Sequence, residues 1–260
     1  MTDHGIHHLQ IVIPAAGEGR RFAEAGYEVP KPLVPAAGAP MVVRAVRDLP
    51  AADRVVFVVR AEHVRGYRID EQLRRHFPGC RVVTVEGVTE GQACTVRLAA
   101  DALQPDWPVI VAACDNTHVY DRQKLARLMA DPAVECLIWT YRGDTRVLAS
   151  PEQHGWVRVD GDRVVEVSCK RPISDSPLED HVVSGFFSFR TARGMIEAID
   201  RMVEADVRVN GEFYLDTVPN LLVADGRDVR VFEVEKYIGW GTPRDLADFE
   251  KWERYFAELD

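Results

Sequence analysis

The first 141 residues alternate short apolar runs, rich in β-branched side chains, with stretches of helical period, and this alternation constrains the fold more than any other feature. Runs at 9–14, 55–59, 81–85, 109–113 and 136–141 read as strands buried on both faces. Helices are predicted over 41–47, 63–76, 92–103 and 122–129, the last capped by Asp121. Strands and helices in this order give parallel strands joined by helical crossovers, a doubly wound α/β fold. From about residue 142 the helices drop out, and strands at 156–159, 163–168 and 182–189 predict a smaller antiparallel extension of the sheet. Helices at 192–203 and 212–223, a strand at 229–234 and a closing helix from Pro243 to about Glu258 follow. No linker rich in Pro, Gly or Ser divides the chain, so residues 1–260 are expected to form one domain around a mixed, mostly parallel sheet.

Composition removes several functions. The 260 residues are 47% hydrophobic, enough for a self-sufficient core, and 32 basic against 41 acidic residues leave a formal charge of −9. Such a chain has no general attraction for nucleic acid or for an anionic membrane. No apolar run approaches the ~20 residues that span a bilayer. Residues 1–10 carry three histidines and no signal-peptide core, so a cytoplasmic protein is expected. Five scattered cysteines without a CxxC suggest neither a disulfide framework nor a zinc knuckle. The eight histidines form no HExxH, and only His118 falls near the residues singled out below.

The first predicted strand leads into Ala15, Ala16, Gly17, Glu18, Gly19, Arg20, Arg21 and Phe22, and then to Pro30, Lys31, Pro32 and Leu33. Glycines let backbone N–H groups approach anionic oxygens, and Arg21 and Lys31 bring two positive charges onto a triphosphate from separate arms of one loop. The ligand would lie at the carboxyl end of the strand. A dinucleotide fingerprint fails, because position 22 is Phe and prolines 30, 32 and 35 keep the following segment non-helical. A P-loop fails for want of a glycine-lysine-hydroxyl triplet. Asp115 lies two residues past the run 109–113, where the crevice of such a sheet lies, and is a candidate ligand for Mg2+, a hard cation that prefers carboxylate and phosphate oxygens.

These motifs resemble those of the nucleotidylyltransferases that include the sugar-1-phosphate nucleotidylyltransferases: a first strand followed by AAGxGxRF and, about ten residues on, KPL. The resemblance spans nearly the whole chain and implies a Rossmann-like sheet, with an NTP-binding half at 1–141 and an acceptor-binding half at 142–260. It implies that Arg21 and Lys31 are the triphosphate-binding and catalytic cations. The nucleotide would lie along Ala15, Ala16, Gly17, Glu18, Gly19 and Arg20, and Asp115 would hold the metal. Gln92, in a Glu-Gly-Gln-Ala turn, looks like the base reader, though a plain helix start explains it equally well. Lys170 falls where the family has the Lys of Glu-Lys-x-Pro that holds the acceptor's phosphate, but Cys169 replaces the preceding Glu that accepts hydrogen bonds from sugar hydroxyls. The segment from Asn210 to Asp216 resembles an acceptor-side stretch, and a helix there would put Glu212 and Asp216 on one face, with Glu212 touching acceptor or metal. A closing GTPxDL motif is present at 241–246, yet Gly239 stands where many relatives carry a second metal-binding Asp, leaving Glu212, Asp216, Glu233 or Glu235 to compensate, or one carboxylate plus phosphates to suffice.

The expected reaction is attack by an acceptor oxygen on the α-phosphorus of an NTP, with release of pyrophosphate. The expected partners are an NTP and a small phosphorylated acceptor, most simply a sugar-1-phosphate, in a monomer or homo-oligomer. Cys169 and Gly239 keep open a CTP-dependent branch acting on a phosphonate or another non-sugar phosphorylated compound. A rival of another class is a catalytically silent nucleotide-binding regulator, motivated by the missing second Asp. A Rossmann oxidoreductase is disfavoured by the failed glycine pattern.

Overall fold

The computed structural model describes residue 6 and residues 8–258; most of the histidine-bearing start, residues 1–5 and 7, lies outside them. The chain opens with β1 (Gln10–Ala15), the one-turn α1 (Arg20–Glu24), a 3-10 turn at Lys31–Leu33, the ribbon β2 (Pro35–Ala36) and β3 (Ala39–Pro40), and α2 (Met41–Arg47). Then come β4 (Arg54–Arg60), α3 (Ala61–Tyr67), α4 (Ile69–His76), β5 (Arg81–Val85), α5 (Gln92–Arg97), β6 (Val109–Val111), β7 (Asn116–Val119), α6 (Arg122–Ala130) and β8 (Val134–Tyr141). The second half adds β9 (Gly155–Asp160), β10 (Arg163–Cys169), β11 (His181–Phe189), α7 (Ala192–Glu204), α8 (Val218–Ala224), β12 (Asp228–Glu233), β13 (Lys236–Gly239) and α9 (Pro243–Ala257).

Nine of these strands form one sheet in the order β5-β4-β1-β6-β11-β8-β12-β10-β9. β5, β4, β1 and β6 are parallel, β11 runs against β6 and β8, and β12 is parallel to β8. The antiparallel pair β9–β10 closes the far side, and β9 also touches β11. The strands read as unbroken apolar runs because both faces are covered. Val12, Val56 and Val58 point into one core with α5 and α7, while Ile11, Ile13, Phe57 and Val59 fill the other with α2 and α4.

Several boundaries differ from the sequence expectation. The helix expected over 63–76 is broken at Arg68, whose φ of 50° is left-handed, and the helix over 92–103 stops at Arg97. The helix expected over 212–223 begins only at Val218. Pro219 has no N–H to donate and is accommodated in the first turn, while Asn210 and Gly211 adopt positive φ upstream of it. Glu212 and Asp216 therefore do not share a helical face. The short pair β7–β13, unforeseen from the sequence, is what joins the strand end carrying Asp115 to the closing helix.

Candidate active site

β1 ends at Ala15, and its buried Ala15 and Ala16 deliver the chain into the exposed Gly17 and Glu18. Gly19 takes φ 64° and its carbonyl accepts from Phe22 N at 2.9 Å, so a single helical turn opens at Arg20 where none was expected. A Cβ at Gly19 would come 2.9 Å from Lys31 Cβ, so the two arms of the loop touch there. Buried Phe22 anchors this turn and lies 5.8 Å from Lys31 Nζ. Arg20 turns outward to Glu18 at 2.7 Å.

Pro30 and Pro32 fix the 3-10 turn that carries Lys31. Its ammonium donates to Asp115 Oδ2, which stands four residues past the end of β6; both side chains are about 21% exposed and face one cleft. Burial works against the Lys31 charge, but the Asp115 carboxylate outweighs it and the pKa is raised, so Lys31 is an ammonium at neutral pH. Trp240 N donates to the Asp115 carbonyl at 2.8 Å, and a Cβ at Gly241 would sit 3.4 Å from Asp115 Oδ2. The GTPxDL stretch thus backs the carboxylate. Its Thr242 caps α9, accepting from Asp245 N at 3.1 Å and donating to Asp245 Oδ2 at 2.7 Å.

The cleft has a volume of about 740 Å³ and is lined by Arg21, Lys31, Gln92, Asp115 and Lys170 together. Gln153 links two of these cations: Arg21 Nη2 donates to its side-chain oxygen at 2.7 Å, and Lys170 Nζ to its carbonyl at 2.6 Å. Lys170, at φ 62°, also lies 5.1 Å over the Tyr214 ring. Gln92 heads α5, where Ala93 N donates to Phe213 O at 3.0 Å and ties that helix start to the 213–216 segment. Glu212, expected at the acceptor, is exposed on the turn at 210–212 and does not line the cleft; Asp216 does. Sequence reasoning also missed Gln153 and the opposite wall, where Arg146 forks onto Asp144 at 2.5 Å and approaches Asp245 at 3.8 Å. The only signal for these was the long unpatterned loop between β8 and β9.

The donor set suits a magnesium ion that arrives with phosphates. Asp115 offers one carboxylate, and among the described residues no three His, Cys, Asp or Glu side chains converge as a cage. At Gly239 a Cβ would lie 2.7 Å from both Tyr237 Cε1 and its hydroxyl, so this ring occupies the volume a carboxylate there would need. The ring is not free to swing away, since it stacks on Tyr141 at 4.3 Å and 11° beneath Arg146. Glu233 is held by Arg142 at 2.8 and 2.9 Å, and Glu235 is exposed. His118, packed edge-on to Phe186 at 4.4 Å, is pushed down to about 3 by burial and is neutral. Gly239→Asp is expected to cost about 1–3 kcal/mol through overpacking, lowering the melting temperature by roughly 2–12 °C. An unchanged thermal melt would show that Tyr237 does not hold that space.

Fold and cleft come together in one arrangement, a mixed α/β sheet whose strand ends carry a glycine-bearing turn, with Arg21, Lys31, Lys170 and Asp115 on one cleft. The family profile of the MobA-like NTP transferase domain matches residues 11–206, and the chain belongs to that family. It is 29% identical over 226 residues to the bifunctional protein GlmU of Sphingopyxis alaskensis, covering 84% of this chain and 46% of that protein. It is 27% identical over 258 residues to GlmU of Novosphingobium aromaticivorans, covering 95% of this chain and 53% of that one. The chain spans about half the length of these relatives. Among solved structures it superposes on the nucleoside-diphosphate-sugar pyrophosphorylase of Vibrio cholerae RC9 with a TM-score of 0.73 at 21% identity, over 93% and 99% of the two chains. The inositol-1-phosphate CTP transferase of T. maritima gives 0.73 at 19%, over 95% of each. Among the described residues no helix is long and apolar enough to cross a membrane.

Proposed function

We propose that the protein is a magnesium-dependent nucleotidylyltransferase that moves the NMP of a nucleoside triphosphate onto the phosphate of a sugar or cyclitol phosphate, releasing pyrophosphate. The observation that carries this reading is the convergence of Arg21, Lys31 and Lys170 with Asp115 on one cleft in a chain of net charge −9. Two anions must meet there, and their repulsion is the obstacle. Arg21 and Lys31 take the triphosphate, and Lys170 takes the acceptor's phosphate, which turns toward the α-phosphorus. The acceptor oxygen forms its bond to phosphorus as the α–β bridging bond breaks, and pyrophosphate leaves with that electron pair. No proton need be taken from a phosphate oxygen already ionised at neutral pH, so positioning and charge stabilisation supply the catalysis. Magnesium, held by Asp115 and phosphate oxygens, would neutralise charge on the triphosphate. Gln92, at the head of α5, faces the same cleft and supplies the amide that reads the base edge. Such a substrate belongs to the cytoplasm.

Pyrophosphate release measured with each of the four NTPs against a panel of glucose 1-phosphate, myo-inositol 1-phosphate, phosphocholine and 2-aminoethylphosphonate tests this. Turnover is expected with at least one NTP and one of the first two acceptors. Saturable nucleotide binding with no turnover on any acceptor would instead mark a silent binder. Turnover confined to the phosphonate, with CTP, would move the protein to the non-sugar branch.

A further inference from the structure

The closing helix is packed at its start and bare at its end. In its first half Leu246 is buried and Phe249 lies edge-on to Trp240 at 5.4 Å, which seats α9 on the small core around Phe22 and Met41. From Lys251 to Glu258 every residue is exposed, on all sides of the helix. Three of these are large and aromatic: Trp252, Tyr255 and Phe256 are 57%, 52% and 59% exposed. Their i, i+3, i+4 spacing puts them on one stripe. The rings also lie against one another, with centroids 5.9 Å apart for Trp252 and Tyr255, 6.1 Å for Trp252 and Phe256, and 5.5 Å for Tyr255 and Phe256. Single exposed apolar side chains are ordinary, but a joined aromatic patch marks an interface. Two helical turns without neighbours are also marginal on their own. The flank of the stripe carries the clue to what covers it. Lys251 and Glu258 are two turns apart, so they stand on the same side of the stripe, one at each end.

We infer that the stripe of Trp252, Tyr255 and Phe256 is the surface on which a second copy of this chain docks, its α9 antiparallel to the first about a two-fold axis that passes between Arg254 and Tyr255. A contact of this symmetry must be complementary to itself. The two-fold axis brings the same flank of both helices face to face with their directions reversed. Lys251 of each copy then comes level with Glu258 of the other, Trp252 comes beside Phe256, and the two Tyr255 rings meet near the axis. Two attractive charge pairs border an aromatic centre, and the two globular bodies, each seated on the start of its own α9, fall at opposite ends of the helix pair. A fully covered aromatic ring buries ~150–250 Å². With each ring a little over half exposed, the six rings hide ~600 Å², and the flanking side chains carry the total to ~1,000 Å², the lower limit for a specific interface. A dimer with a Kd in the micromolar range is therefore expected. A membrane fits the stripe less well, because Glu253 and Glu258 offset Lys251 and Arg254 around it and the chain carries a net charge of −9. Docking through α9 requires no assumption about the reaction.

Sedimentation velocity of the full chain between about 1 and 100 µM, in low-salt buffer, tests the docking. The wild type is expected to pass from monomer to a species of twice the mass as concentration rises. Trp252→Glu should stay monomeric throughout with an unchanged thermal melt, because the ring it removes is more than half exposed. Lys251→Glu should weaken the dimer by about tenfold or more, since both charge pairs turn repulsive. Combining Lys251→Glu with Glu258→Lys should restore the Kd to within about threefold of wild type, a recovery that a general loss of helix stability would not give. A wild type that is still monomeric at about 100 µM, a dimer indifferent to Trp252→Glu, or a double variant no tighter than Lys251→Glu overturns the inference. So does a monomeric protein that floats with phosphatidylglycerol vesicles, which would assign the stripe to a membrane.

Discussion

Replacing Lys31 with alanine is expected to lower kcat for pyrophosphate release by roughly 10²–10³-fold, about 3–4 kcal/mol of transition-state stabilisation, while the protein stays folded. Lys31 is the cation that the fold itself places against Asp115, and the turn that carries it is fixed by Pro30 and Pro32 and packed on the Gly19 loop. Its ammonium stands in a cleft with restricted access to water, where a charge aimed at the phosphates counts for more than it would in bulk solvent. The structural cost is smaller, because the Asp115 side chain it abandons is still about one-fifth exposed and can rehydrate. The thermal melt should therefore move by only a few degrees while turnover collapses. Arginine at position 31 is not expected to rescue the rate, since a planar fork does not replace a compact ammonium seated between Asp115 and the Phe22 ring. Steady-state kinetics beside a melting curve decide the matter: a folded Lys31→Ala protein with kcat within threefold of wild type would remove Lys31 from the reaction.

The parts of this molecule that could be read from the sequence are those where a single local cause dominates. β1, β4 and β8 are legible because both faces are buried and their side chains are therefore mostly apolar. Arg21, Lys31, Asp115 and Lys170 are legible because each follows a strand or a proline-fixed turn at a recognisable spacing. Glu212 falls outside the expected helix because Pro219 fits only its first turn, so the helix starts at Val218. Asp216, Gln153 and Arg146 reach the cleft from irregular segments whose direction is set by tertiary contacts, such as the Gly155–Cys169 pair beneath Asp216, and no periodicity records that. The role of Tyr237 was hidden for another reason. Its strand is four residues long and pairs only with β7, so neither element carries enough pattern to be seen alone.

Gly91→Ala is expected to destabilise the protein by about 3 kcal/mol or more and to lower its melting temperature by roughly 6–12 °C. Gly91 adopts φ 136° and ψ 174°, a region open only to glycine, and an added Cβ would lie 2.5 Å from Phe213 O and 2.6 Å from Phe213 N. That backbone cannot retreat, because it is clamped on both sides of the glycine: Phe213 N donates to Glu90 O at 2.8 Å and Ala93 N to Phe213 O at 3.0 Å. The Gly91 carbonyl is itself fixed by Thr89 Oγ1 at 2.9 Å and by Thr95 N at 3.1 Å. The same clamp aligns Gln92 with Tyr214 and Asp216, so residual folded enzyme should bind both NTP and acceptor more weakly, unlike the Lys31 variant, in which chemistry suffers most. Gly161→Ala is the matched control. Its φ is 64° in the turn between β9 and β10, but nothing lies within 4 Å of its added Cβ, so only about 1–2 kcal/mol of backbone strain is expected. If calorimetric melts place Gly91→Ala at or above Gly161→Ala, the clamp between the head of α5 and the 213–216 segment does not exist in solution, and the alignment of Gln92 with Tyr214 and Asp216 must come from elsewhere.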